Sequence, residues 1–167
     1  MDKRICACIL QIISELKLET VAGYQAVNGE PDISPALREL QQLGHPVCLP
    51  VIHPLGEGEM EFRRWSHNCE LKSNRFGILE PAGTATAPLS EIGLVLTPLV
   101  AYSTDGHRIG MGGGYYDRIF AAPAANSAML RCGVAYALQE VPPGNPDPWD
   151  IALHAVINEH GWFTFKR

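Results

Sequence analysis

"IGLVLTPLVAYSTDGHRIGMGGGYYDRIF", residues 92–120, holds three textures in succession. The apolar run from Ile92 to Tyr102 suits a strand buried on both faces, as in a parallel sheet. A glycine cluster follows at Gly110, Gly112, Gly113 and Gly114, and "YYDRIF" from Tyr115 can begin a helix. Strand, glycine loop and helix in that order put the loop just past a strand's carboxyl end, where open α/β sheets bind ligands.

Outward from this stretch the same alternation recurs. On the N-terminal side, "MDKRICACILQII" spaces Ile5, Ile9, Ile12, Ile13 and Leu16 along one helical face, and "TVAGYQAV" has strand character. The run is too short to span a bilayer, and no small-residue cleavage site follows it, so it reads as an ordinary helix. "NGEPD" is a turn in which Asp32 or Ser34 can cap a helix through "ALRELQQLG", stopped at Gly44 before the apolar run "PVCLPVI". "GEGEMEFRRW" reads as an edge strand or hairpin and "TATAPLS" as a loop. Beyond the glycine loop, "LRCGVAYALQ" and "LHAVINE" read as strands separated by the turn-rich "VPPGNPDPWD". The expected fold is a three-layer α/β/α sandwich with a mainly parallel sheet, one domain over residues 1–167.

Composition narrows the function. The 167 residues are 46% hydrophobic and 19% charged, enough for one continuous core. A net charge of −5 with scattered basic residues argues against nucleic acid as a partner, because such binding needs clustered Lys and Arg. No membrane association is expected either. The five cysteines form no CxxC pair and give no disulfide framework, which points to buried thiols and a reducing cytoplasm. The histidines lack zinc-ligand spacing, and GxSxG is absent. His107 beside the loop reads as a turn residue.

Glycines let a backbone approach a ligand and turn several N–H groups toward one anion, which suits a phosphate. A helix starting at Tyr115 or Tyr116 adds its positive end there. Arg108 and Arg118 flank the loop with forked donors, while Asp117 carries the opposite sign, which a bridging Mg²⁺ would reconcile with phosphate. The loop is neither GxxxxGK[ST] nor a complete GxGxxG fingerprint, and a tight structural turn is the alternative reading.

Taken whole, "RIGMGGGYYDR" resembles the signature of the 5-formyltetrahydrofolate cyclo-ligase family, and "VLTPLVAYSTDGHRIG", "LPVI", "EMEF", "FGILEP" and "WDIALHAVINE" stand in that family's order. The resemblance implies ATP- and Mg²⁺-dependent closure of 5-formyltetrahydrofolate to 5,10-methenyltetrahydrofolate by a cytoplasmic, monomeric enzyme. It implies Arg108, Tyr115 and Tyr116 as catalytic residues. It places ATP on Arg108, Gly110, Met111, Gly112, Gly113, Gly114, Tyr115 and Asp117, with metal on Asp117 and Asp150. Folate falls to Glu30, Met60, Trp65 and Tyr116. For Asp150 a cap after Pro148 remains an alternative, for Glu30 a solvated turn, and for Met60 and Trp65 an alternating strand on the core.

Members usually open with a further basic helical segment. The chain is read as starting after it, with Lys3 and Arg4 not aligned to it. Gly113 stands where some members place lysine, and "GMGGG" resembles bacterial members. A second expectation is therefore a folate- or nucleotide-binding protein without catalysis. A third is a phosphosugar or acyl-CoA enzyme on a similar scaffold, since fold does not set function.

Overall fold

Apolar spacing builds the first element, α1 (Asp2–Glu15), whose Ile5, Ile9, Ile12 and Ile13 are buried as the i, i+4 pattern predicts. Leu16 departs from that stripe. It lies past the helix end at 49% exposure, because Lys17 turns into the left-handed region at φ 51 and swings the chain toward the sheet. The structure is a computed structural model describing residues 1–56, 58–125 and 128–166. Glu57, within the segment read as an edge strand or hairpin, lies outside the described residues.

The strand expected over 20–27 is only β1 (Thr20–Ala22). Gly23 then passes so close to Leu37 that a Cβ there would sit 2.6 Å from its Cδ1. Asn28 and Gly29 follow at φ 52 and 82, a turn closed by the Glu30 N–H on the Val27 carbonyl at 3.0 Å. The next helix is α2 (Ser34–Gln42), with the Asp32 carboxylate accepting the Ser34 N–H at 3.0 Å just before it. It ends where Gly44 and His45 donate to Gln41 and Leu40, a Schellman stop.

β2 (Val47–Ile52) runs into β3 (Met60–Trp65), and these two pair antiparallel. A hairpin of β4 (Leu71–Ser73) and β5 (Leu79–Pro81), unforeseen from sequence, follows. β6 (Ile92–Pro98) is the central buried strand, and β7 (Ala101–Ser103) with β8 (Arg108–Ile109) forms a small hairpin after it. The glycine loop leads to α3 (Tyr115–Ala121) and then β9 (Leu130–Val134). β10 (Glu140–Val141) pairs with β7, and β11 (Ala155–Asn158) with β12 (Gly161–Thr164) completes the chain's elements.

Seven strands form the main sheet in the order β12-β11-β9-β6-β1-β2-β3. The inner pairings β11·β9, β9·β6, β6·β1 and β1·β2 are parallel, and the two outer strands are antiparallel. One face packs against α1 and α2 through Ile9, Leu37, Leu94 and Leu96, and the other against α3 through Val95, Ile119 and Phe120. The three-layer expectation holds, although the α3 face is covered by one short helix, with Tyr102 of the β10-β7-β8 sheet clustered with Val156 beside it. No helix among the described residues is long and apolar enough to cross a membrane.

This topology positions a site. From β1 the chain crosses one face through α2 to β2, whereas from the neighbouring β6 it crosses the opposite face through α3 to β9. The connections part between β1 and β6, and the crevice at their carboxyl ends is a topological switch point.

Candidate functional site

Two segments rise from that crevice. The Glu30 turn follows β1, and the glycine loop follows β6 after the β7–β8 hairpin returns the chain, with the Val100 N–H on the Ile109 carbonyl at 2.8 Å. Glu30 Oε2 accepts the Val27 N–H at 2.9 Å, and burial raises its carboxyl pKa. Burial first, and the Glu30 carboxylate second, push the Tyr116 hydroxyl pKa up, so the two face one environment. Tyr24, whose hydroxyl donates to the Pro31 carbonyl at 2.8 Å, feels the same carboxylate. Met60 and Tyr116 both pack against the core cluster that holds Ala22, Cys48 and Phe62.

Trp65 does not join them. Five residues along β3 its side chain lies on the other face, packed against the α1/α2 core, because strand side chains alternate. Of the four residues assigned to folate, Glu30, Met60 and Tyr116 share a side of the crevice and Trp65 is separated from them by the sheet.

At the glycine loop, Gly114 takes φ 66 as the residue preceding α3, a left-handed conformation costly for any residue with a Cβ. Gly113 is small for another reason: a Cβ there would lie 2.6 Å from Tyr115 Cε2, because that ring folds back over the loop. Among the described residues the N–H groups of Met111 to Gly114 make no hydrogen bond, and Met111 is 81% exposed. Arg118 Nη1 donates to the carbonyls of Gly113 at 2.7 Å and Gly58 at 3.1 Å, tying the loop to the segment before β3.

Beneath the loop, Arg108 Nη2 and Asp117 Oδ2 form an ion pair at 2.9 Å with side-chain exposures of 8% and 18%. The Ile151 peptide closes the arrangement. Its N–H donates to Asp117 Oδ1 at 3.0 Å, and its carbonyl accepts from Arg108 Nη1 at 3.3 Å. The guanidinium also lies 5.9 Å from the Tyr116 ring centroid and 5.5 Å from that of Phe120. Arg108 is thus an inward anchor, and Arg118 is an exposed cation of α3 that meets the loop backbone.

Asp150 immediately precedes Ile151, whose N–H is held by Asp117. Asp150 Oδ2 accepts the Asp147 N–H at 2.9 Å, the capping role open from sequence. Among the described residues no group of three or more His, Cys, Asp or Glu can hold a metal. As a donor type the carboxylates of Asp117 and Asp150 fit Mg²⁺, which takes one or two carboxylates and completes its shell with phosphate oxygens and water.

Sequence reasoning missed two further groups. Arg75 Nη2 donates to the Tyr115 hydroxyl at 2.9 Å from the β4–β5 turn, which the Asn74-to-Gly77 spacing signals only as a turn. Thr97, fully buried near the carboxyl end of β6, has an Oγ1 without a hydrogen-bond partner among the described residues. A lone threonine in an apolar run gives no sequence signal, yet a buried unpaired hydroxyl at a switch point suits a bound ligand or water.

Comparison with known proteins agrees with this geometry. A model of the 5-formyltetrahydrofolate cyclo-ligase family matches residues 5–159. The chain is 33% identical over 150 residues to the 5-formyltetrahydrofolate cyclo-ligase of Haemophilus influenzae, covering 89% of this chain and 80% of that one. It is 37% identical over 140 residues to the enzyme of that name from Escherichia coli, covering 83% and 76%. The solved 5,10-methenyltetrahydrofolate synthetase of Aquifex aeolicus superimposes with a TM-score of 0.78 at 28% identity, covering 98% of this chain and 82% of that one. A Mycoplasma pneumoniae 5,10-methenyltetrahydrofolate synthetase shares the fold, with a TM-score of 0.75 at 23% identity over 95% of this chain and 85% of that one. With the family model spanning the crevice segments from Glu30 to Ile151, the chain belongs to the 5-formyltetrahydrofolate cyclo-ligase family.

Proposed function

We propose that this protein closes 5-formyltetrahydrofolate to 5,10-methenyltetrahydrofolate, using ATP and releasing ADP and phosphate. The observation that carries the reading is the pairing, across one switch-point crevice, of a partly buried carboxylate at the Glu30 turn with a glycine loop whose N–H groups from Met111 to Gly114 make no hydrogen bond among the described residues.

A formyl oxygen is a poor leaving group. Its attack on the γ-phosphorus, with cleavage of the bond to ADP, gives an imidate-like phosphate. The neighbouring folate nitrogen then attacks the formyl carbon, phosphate departs, and that nitrogen loses its proton. The protein's task is alignment and charge stabilisation.

In this reading the backbone of Gly110, Met111, Gly112, Gly113 and Gly114 receives the phosphates, with Tyr115 as a wall of the nucleotide site. Arg108 holds Asp117 and stabilises charge beneath the loop. Glu30 receives the donor-rich edge of the pterin, with Tyr116 and Met60 lining the folate side. Mg²⁺ would be held by Asp117 and Asp150, where it supplies charge neutralisation for the phosphates.

The test is growth of the methenyltetrahydrofolate absorbance after purified protein is mixed with 5-formyltetrahydrofolate, Mg²⁺ and ATP. ATP-dependent growth is the expected result. A folded protein that gives no signal, beside an active relative assayed in parallel, overturns the catalytic reading.

A further inference from the structure

The β4–β5 hairpin reaches the glycine loop through one side chain. Arg75 donates to the Tyr115 hydroxyl across 40 residues of sequence. The Tyr115 ring is folded so closely over Gly113 that an added Cβ would lie 2.6 Å and 2.8 Å from its edge carbons. The ring is therefore fixed at its inner edge by loop backbone and at its outer end by a guanidinium.

The support behind Arg75 is stiff. Asn74 Oδ1 accepts the N–H groups of Phe76 at 2.9 Å and Ile78 at 3.1 Å, and Asn74 Nδ2 donates to Glu80 Oε1 at 2.7 Å. That same oxygen accepts the Ile52 N–H at 2.8 Å, which ties the hairpin to β2. Arg75 itself is exposed, its guanidinium carbon lies 4.9 Å from the Phe76 ring centroid, and among the described residues it pairs with no carboxylate. Holding a long exposed arginine on a neutral phenol gains the fold little, since ordering the side chain offsets one hydrogen bond. What the contact does is set the wall of the glycine loop.

We propose that Arg75 is a positioning residue of the nucleotide site: it keeps the Tyr115 ring folded over Gly113, so that the loop backbone meets a phosphate in one arrangement. The inference rests on the reading of this loop as the ATP site.

The experiment measures binding of a non-hydrolysable ATP analogue by calorimetry, alongside KM for ATP and thermal melting, in the full chain. Arg75→Ala and Tyr115→Phe are each expected to weaken analogue binding on the order of tenfold, with KM rising more than kcat falls. The double variant is expected to be no weaker than the weaker single, because both remove one contact. Arg75→Lys, which keeps a donor and the charge, is expected to restore most of the affinity. Analogue affinity unchanged in both single variants, or losses that simply add, overturn the proposal. A folded wild-type chain that binds no analogue defeats the ATP reading and this inference with it, whereas tight wild-type binding with indifferent variants defeats the inference alone.

Discussion

Arg108 and Asp117 leave water together, and each depends on the other for a countercharge while the Ile151 peptide occupies a remaining site on both. Removing one side strands the other, so Arg108→Ala is expected to cost about 3 kcal/mol of folding stability and to lower cyclisation roughly 100-fold. Denaturant titration reads the first and the chromophore assay the second. Glu30 makes a different kind of demand. Burial holds its folded-state pKa above the ordinary 4.5, so the folded protein keeps that proton longer than the unfolded chain. The associated stability is full below the ordinary value and is lost as pH rises through the raised one. Glu30→Gln removes the loss. Melting compared from about pH 4 to about pH 7 is expected to move in the variant's favour as pH rises, while KM for the folate increases.

At the level of elements, the glycines differ in what they do, and substitution separates them. Gly113→Ala is expected to displace the Tyr115 ring and weaken nucleotide binding with little change in melting, because the obstacle is one movable side chain. Gly133→Ala in β9 meets Leu153 and Leu99 at 2.8 Å each inside the core, and is expected to lower stability by about 1–3 kcal/mol in a denaturant melt. Sequence patterning finds α1 and α2 because each buries one face along several residues, finds β2 and β6 as apolar runs buried at most positions, and places α3 from the segment that follows the glycines. It misses β4 and β5, which are three residues each and carry partly exposed side chains. It overextends β1, because Tyr24 is buried by packing outside a strand. In the site, the glycine loop and Asp117 are legible as motif. The inward turn of Arg108 and the separation of Trp65 are not, since both follow from which sheet face a residue meets.

Across the whole molecule, the core determines which thiols are reachable. Cys48 and Cys132 have no exposure, and burial pushes the Cys48 thiol up to about 11. Alkylation of the native protein near about pH 8 is expected to label the partly exposed Cys8 and Cys69 first. Peptide mass spectrometry should find Cys6, Cys48 and Cys132 modified only after unfolding. The ring formed by Arg108, Asp117 and Ile151 also has a temporal side. Its members come from segments 34 and 43 residues apart, and Ile151 is carried by the approach to β11, which joins the sheet only through β9 and β12. On a ribosome that delivers the chain from its amino end, the helices and central strands can associate while the anchor of the site is still unmade. Competence for chemistry is then the last property the molecule acquires, trailing its secondary structure by the time needed to add the closing strands.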